Sequence, residues 1–143
     1  MTAPLIREHP ISFVAFGKPT AQGSARAIMS KRMKAPVVVQ VNKASLRSWR
    51  SVVADAAVSA MHGASPHRGA VRVDVTFYTP ITKAAAKRRD PYPSGRPDRD
   101  KLERAVMDAL SGIVFVDDCQ VCDGRTRKLW GEPARAEFVV TPL

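Results

Sequence analysis

Apolar and polar side chains alternate from Val71 to Tyr78, with Val71, Val73, Val75 and Phe77 set against Arg72, Asp74, Thr76 and Tyr78. A period of two sends the two sets to opposite faces of a strand, so one face must be buried and the other can meet water. The chain must therefore fold around a sheet whose apolar face is covered. Two segments have the spacing to cover it. Leu46, Trp49, Val52, Val53, Ala56, Ala57, Ala60 and Met61 recur at helical intervals until His62-Gly63, and Arg47 and Arg50 lie off that stripe. Leu102, Ala105, Val106, Ala109 and Leu110 form a second stripe within residues 99–111, which Gly112 stops.

Residues 11–17, β-branched and aromatic, predict an opening strand. Residues 18–36 read as a basic loop, and 37–41 as a short strand or an extended lead into the first helix. Residues 79–97, with Pro80, Pro91, Pro93, Gly95 and Pro97, read as irregular. A strand is expected over 120–130 and a last one over 134–141, joined as a hairpin by Gly131-Glu132-Pro133. The order is β-α-β-α-β-β, an α+β domain with helices packed on a mixed sheet.

At 143 residues the chain fits a single domain, 1–143, able to bury a real core without disulfide or metal staples. No apolar run approaches the ~20 residues of a bilayer span. Residues 1–10 carry Arg7, Glu8, His9 and Pro10 where a signal peptide needs its apolar stretch. The expectation is a cytoplasmic protein without membrane association, flexible over residues 1–10.

Twenty-three Lys and Arg against 13 Asp and Glu leave a net charge of +10, which points to a polyanionic partner. Distribution sharpens this. No acid occurs from His9 to Ala54, a stretch holding Lys18, Arg26, Lys31, Arg32, Lys34, Lys43, Arg47 and Arg50, whereas Asp98, Asp100, Glu103, Asp108, Asp117 and Asp118 crowd a short region. A basic protein that gathers its carboxylates in one place either caps helices with them or holds a cation.

Both readings have a physical basis. In an extended approach to a helix, residues i and i+2 point the same way, roughly 6.5–7 Å apart, so Asp98 and Asp100 could share a face. Two close carboxylates repel unless a cation neutralises them, and Mg²⁺ prefers hard oxygen ligands. Asp118, with Asp117, could complete a cage if the turn after the second helix returns beside that helix's start. Equally, an Asp after Pro97 makes a good helix N-cap, acids in a first turn suit the helix dipole, and Asp117-Asp118 could be a plain turn.

The blocks Asp98-Arg99-Asp100-Lys101-Leu102-Glu103-Arg104, Asp108-Ala109-Leu110 and Asp117-Asp118-Cys119-Gln120-Val121 resemble the RusA family of Holliday junction resolvases, whose pattern is D-x-D-N-L-x-K, D-A-L and D-D-x-Q-V. The flanking order is similar too: an opening strand, a Gly-Lys-Pro loop with Arg26 beyond it, a helix bearing Trp49 and a C-terminal strand pair. The resemblance implies a homodimeric, Mg²⁺-dependent endonuclease, with Mn²⁺ as a possible substitute. Such an enzyme cuts four-way junction DNA by paired symmetric nicks in recombination and repair, in a bacterial or phage-infected cell. It implies Asp98, Asp100 and Asp118 as essential acids and metal ligands, joined by Asp117. The sequence departs from the pattern at Lys101, where the family has Asn, and at Arg104, where it has Lys. Arg keeps the charge but titrates far less readily. An electrostatic role suits Arg104, with Lys101 near the scissile phosphate, whereas a proton-transfer role would pass to Lys101 or Lys128. Arg104 could instead be an i, i+4 ion-pair partner of Asp100 and Asp108, and Asp108 fits a supporting role.

Lys83, Lys87, Arg88, Arg89, Arg96 and Arg99 run into the carboxylates and are expected to hold phosphates beside the cut, together with Lys128. Lys18, Arg26, Lys31, Arg32 and Lys34 would reach along the DNA arms. Phosphate contacts position DNA without reading its sequence, which suits an enzyme that selects a shape. Cys119 and Cys122 form a C-x-x-C, but no second Cys pair or ligand-spaced His accompanies them, so they read as ordinary thiols. Trp49 belongs to a core stripe, and Trp130 and Tyr92 are better placed for surface work. The alternatives are a nuclease for flaps or forks and a non-catalytic nucleic-acid-binding protein whose acids merely cap a helix.

Overall fold

Strand β4 (Val71–Thr79), the alternating segment, lies inside the sheet, and its four apolar side chains are almost completely buried. The computed structural model of the protein describes residues 9–23, 25–29, 36–40 and 43–143, with 25–29, 36–40 and residue 43 described by their backbone. In chain order the described elements are β1 (Ile11–Phe16), β2 (Ala25–Met29), β3 (Pro36–Gln40), α1 (Lys43–Met61), β4, α2 (Lys83–Arg88), α3 (Arg99–Leu110), a 3-10 turn (Asp118–Gln120), β5 (Val121–Asp123), β6 (Thr126–Trp130) and β7 (Arg135–Pro142). The fold is α+β, with three helices against a mixed sheet.

The sheet runs β1-β7-β4, and β5 and β6 share the far edge of β4. β7 is antiparallel to both β1 and β4, from Ile11↔Val140 to Phe16↔Arg135 and from Val71↔Pro142 to Tyr78↔Arg135. β5 and β6 are parallel to β4, and a parallel neighbour needs a crossover, here made through α2 and α3. Phe13, Val73, Val75, Phe77, Phe138 and Val140 face the same core as Trp49 and Val53 of α1 and Leu102, Val106 and Leu110 of α3. The Phe13 and Phe138 rings stack at 4.7 Å between centroids. α1 packs on β1 and against α3, which in turn packs beside β6. α3 ends at Leu110, and Gly112, at φ +83°, takes the left-handed conformation that glycine adopts without a Cβ clash.

Three expectations are corrected. The 18–36 loop contains β2, which pairs antiparallel with β3 from Ala25↔Gln40 to Met29↔Pro36. The 79–97 segment contains α2, started by Thr82, whose hydroxyl accepts from the backbone N–H of Ala85, and anchored by the buried Ala85 side chain. The strand expected over 120–130 is broken at Gly124, where a Cβ would lie 1.9 Å from the Val73 carbonyl oxygen. Its second half, β6, and β7 flank β4 on opposite sides, so Gly131-Glu132-Pro133 spans a strand instead of closing a hairpin.

Candidate active site

The approach to α3 is set by Lys128 on β6. Its Nζ donates to the carbonyls of Gly95 and Pro97 at 2.7 and 2.8 Å, pinning the peptide that leads into the helix. Of the three N–H bonds of an ammonium, this leaves one for another acceptor. Asp98 occupies the N-cap position with extended backbone, yet its side chain makes no cap hydrogen bond. The Asp98 side chain is 52% exposed, and the Lys101 Nζ lies 3.5 Å from its Oδ2. Asp100 lies in the first helical turn and is also exposed. Negative charge is favoured at this end of a helix by the backbone dipole. Two carboxylates therefore stand in solvent, unspent on capping.

Asp117 and Asp118 lie beyond the other end of α3, in a turn locked by Gln120. The Asp117 side chain accepts from the N–H of Cys119 at 3.3 Å, and the Gln120 Oε1 accepts from the N–H of Asp117 at 2.9 Å. The same Gln120 amide donates to the carbonyls of His67 and Gly69, both at 2.8 Å, tying the turn to the lead into β4. This is the physical content of the D-D-x-Q spacing. The N–H of Cys119 and a hydrogen bond with Asp118 hold the Asp117 carboxyl below its ordinary range. That hydrogen bond with Asp117, assisted by burial and by the charges of Asp117 and Asp108, raises Asp118. The Arg50 guanidinium of α1 binds Asp108 at 3.0 Å and also donates to Gln22.

α3 has 12 residues, about 18 Å of helix at ~1.5 Å per residue. Asp98 and Asp100 stand at its start, and Asp118 follows its end and senses Asp108 on its third turn. The three-carboxylate cage expected of Asp98, Asp100 and Asp118, with Asp117, is not assembled within one chain: among the described residues no three Asp, Glu, His or Cys side chains are grouped to hold a metal ion. The donor chemistry at the start of α3 still suits Mg²⁺, which commonly binds through one or two carboxylates and takes its remaining oxygens from water and a substrate phosphate.

Arg104 is exposed and makes no ion pair among the described residues, so the alternative reading, a pairing with Asp100 and Asp108, is absent there. Arg99 borders an open, polar cleft of about 520 Å³ with Arg125, Arg127 and Lys128. Arg125, in the link between β5 and β6, and Arg127, on β6, are absent from the basic residues expected to hold phosphates. Lys18, Arg88 and Arg96 border a second cavity, lined also by the loop before α3. Lys83, Lys87 and Arg89 are exposed on and just after α2. Arg26 lies on β2, and Lys31, Arg32 and Lys34 fall outside the described residues. Cys119 and Cys122 are exposed free thiols, and Trp49 is buried in the core. No helix among the described residues is long and apolar enough to cross a membrane.

Residues 17–141 match the family model described as Endodeoxyribonuclease RusA. The chain is also similar to the uncharacterized protein YqaN of Bacillus subtilis (strain 168), with 28% identity over 145 residues, covering 91% of this chain and 94% of that one.

Proposed function

This chain belongs to the RusA family of endodeoxyribonucleases, and from that premise we propose that it resolves Holliday junctions by paired symmetric nicks in a Mg²⁺-dependent reaction. The observation that carries this reading is the pair of exposed carboxylates, Asp98 and Asp100, at the start of a helix flanked by cationic clefts. These two residues would hold the divalent cation. Bound there, the cation would supply Lewis-acid stabilisation of the charge that builds on the phosphodiester during in-line hydrolysis.

The chain's own groups do the rest. Arg99, Arg125 and Arg127 seat the phosphates on one side of Asp98, and Lys18, Arg88 and Arg96 on the other. Arg104, a planar guanidinium, acts on the phosphate by electrostatics and not as a proton donor. Lys101 offsets Asp98 until substrate and cation arrive, and Lys128 holds the loop that presents both acids. Asp118 is the third acid that the family pattern implies, and Asp117 with Gln120 fixes the turn that carries it. Two symmetric nicks need two active sites, which a two-fold homodimer supplies. The setting is the cytoplasm of a bacterial or phage-infected cell, in DNA recombination and repair.

The test is incubation with a synthetic mobile four-way junction, a flap and a linear duplex, each with and without Mg²⁺. Paired symmetric nicks confined to the junction with Mg²⁺ are expected. Equal cutting of the flap would redirect the enzyme to other branched DNA, and metal-independent cutting would remove the cation from the reaction.

A further inference from the structure

The second cavity, lined by the loop before α3, is larger and more apolar than phosphate contacts require. It holds about 540 Å³, within the ~300–1,000 Å³ typical of small-ligand sites. Its wall includes Phe77 of β4, Ala85 of α2 and Leu102 of α3, all buried, together with the partly exposed Trp130 of β6. The Trp130 indole N–H donates to the Asp90 carbonyl at 3.0 Å, which fixes the ring against the loop. Lys128 lines the same space while it pins Gly95 and Pro97.

The charge around this apolar wall is one-sided. Lys18, Arg88 and Arg96 line the cavity, and the one acid among its described lining residues, Asp90, is held by Arg88 at 3.0 Å. Pro97, also in the lining, directly precedes Asp98. A phosphate alone has no use for an apolar wall with an indole in it, and an uncharged apolar ligand has no use for the cations. A nucleotide within a strand uses both, because an unstacked base packs on aromatic and apolar side chains while its phosphates meet Lys and Arg.

We propose that this cavity receives one unstacked nucleobase of the DNA strand being cut, packed against Trp130, with the adjoining phosphates at Lys18, Arg88 and Arg96. The inference rests on the junction-resolving function proposed above and adds a subsite to it. Phosphate contacts carry no sequence information, so this slot gives the enzyme a base preference at one position beside the cut.

The experiment uses the full-length protein with Mg²⁺ and a set of four-way junctions randomised at the bases flanking the crossover. The wild-type protein should favour one base at one position. An abasic nucleotide at that position should slow cleavage about tenfold, the order expected for loss of one base–aromatic contact. Trp130→Ala should slow cleavage of the intact junction to a similar extent and show no further loss on the abasic one. Ala134→Phe, which narrows the cavity while Trp130 is retained, should flatten the base preference while junction binding persists, and thermal melting verifies that both variants are folded. Wild-type cleavage indifferent to base and to the abasic site would overturn the slot and leave the resolvase function standing. An abasic effect that adds fully to that of Trp130→Ala would also overturn it. Failure of the wild-type protein to cut any junction would overturn the function itself, and this proposal with it.

Discussion

The Arg50 guanidinium on α1 reaches across to Asp108 on α3 and binds its Oδ2 at 3.0 Å. It also donates to Gln22, so it joins two helices and the segment after β1. Asp108 is thus neutralised by a partner 58 residues away in the chain, even though it belongs to the same acid-rich stretch of sequence as Asp98 and Asp118. Asp108→Asn should therefore lower stability by only about 0.2–1 kcal/mol, as for partly exposed ion pairs, and should leave junction nicking essentially intact. Thermal melts and nicking assays on the same preparation check both. Loss of nicking with an unchanged melt would move Asp108 into the catalytic set.

Asp98 and Asp100 behave differently because neither caps α3 through its side chain and both face solvent. Asp98→Asn or Asp100→Asn should leave the fold and junction binding unchanged, or tighten binding by removing negative charge. Mg²⁺-dependent cleavage should fall by more than the ~10–100-fold typical of losing a group that only supports a metal ligand. Gel-shift and single-turnover cleavage measurements separate the two effects. Normal cutting by Asp100→Asn would show that the cation sits elsewhere.

Gln120 fixes the Asp117-Asp118 turn through one acceptor and two donor contacts, to the Asp117 N–H and to the carbonyls of His67 and Gly69. Gln120→Ala removes all three and should cost roughly 1–3 kcal/mol. Gln120→Glu should cost more, since a carboxylate oxygen would then face two carbonyl oxygens. Chemical denaturation gives the ordering. If the turn matters to the reaction through Asp118, cleavage by Gln120→Ala should fall further than stability alone explains at temperatures well below its melting point.

The parts of this molecule legible in the sequence are those encoded by local period. Val71 to Phe77 and the two helical stripes declare their buried faces without reference to the rest of the chain. The D-x-D at the start of α3 is local as well. The errors arose where distant residues decide. β6 pairs in parallel with β4, so an apparent hairpin with β7 is in fact a crossing over β4. The break at Gly124 depends on the approach of the Val73 carbonyl, a contact that a scan of neighbouring residues does not reveal. α2 carries a local signal, Thr82 at its N-cap and three alanines after Lys83, inside a segment whose prolines read as irregular. Convergence of Asp98, Asp100 and Asp118 is a tertiary expectation that the family resemblance implies; the first two stand at the start of α3, and the turn bearing Asp118 follows its end in the chain.

Acid sensitivity should centre on Asp74. The Arg72 side chain hydrogen-bonds to it at 2.9 and 3.1 Å, and the Arg125 N–H donates to its Oδ1 at 2.9 Å. The Arg72 hydrogen bond above all, with the Arg125 N–H and the charges of Arg72 and Arg127, holds the Asp74 carboxyl below its ordinary range, against an opposing effect of burial second in size only to the Arg72 hydrogen bond. A carboxyl depressed in the folded state contributes stability that is complete above its unfolded pKa of about 3.9 and is lost as pH falls through the folded value. Asp74→Asn should therefore melt below the wild-type protein at pH 7, with the gap shrinking below about pH 4 and closing in stronger acid. A gap independent of pH would show that Asp74 acts through packing and not through its charge.

Arg125, just before β6, and Arg127, on it, line the same cleft as Arg99, the first residue of α3. A side chain that neutralises a phosphate releases a condensed counterion, so removing one such contact should reduce the slope of log binding constant against log salt by about 0.9. Arg125→Ala should show this full change. Arg127→Ala should show less, because its Nη2 is already shared with the Thr76 hydroxyl at 3.3 Å. Both should weaken binding to junction and to plain duplex by similar factors, since phosphate contacts are blind to sequence, while the rate of nicking at saturating protein stays essentially unchanged. A slope unaffected by Arg125→Ala would take the cleft beside α3 out of the DNA path and leave the phosphates to the Lys18, Arg88 and Arg96 side of the loop.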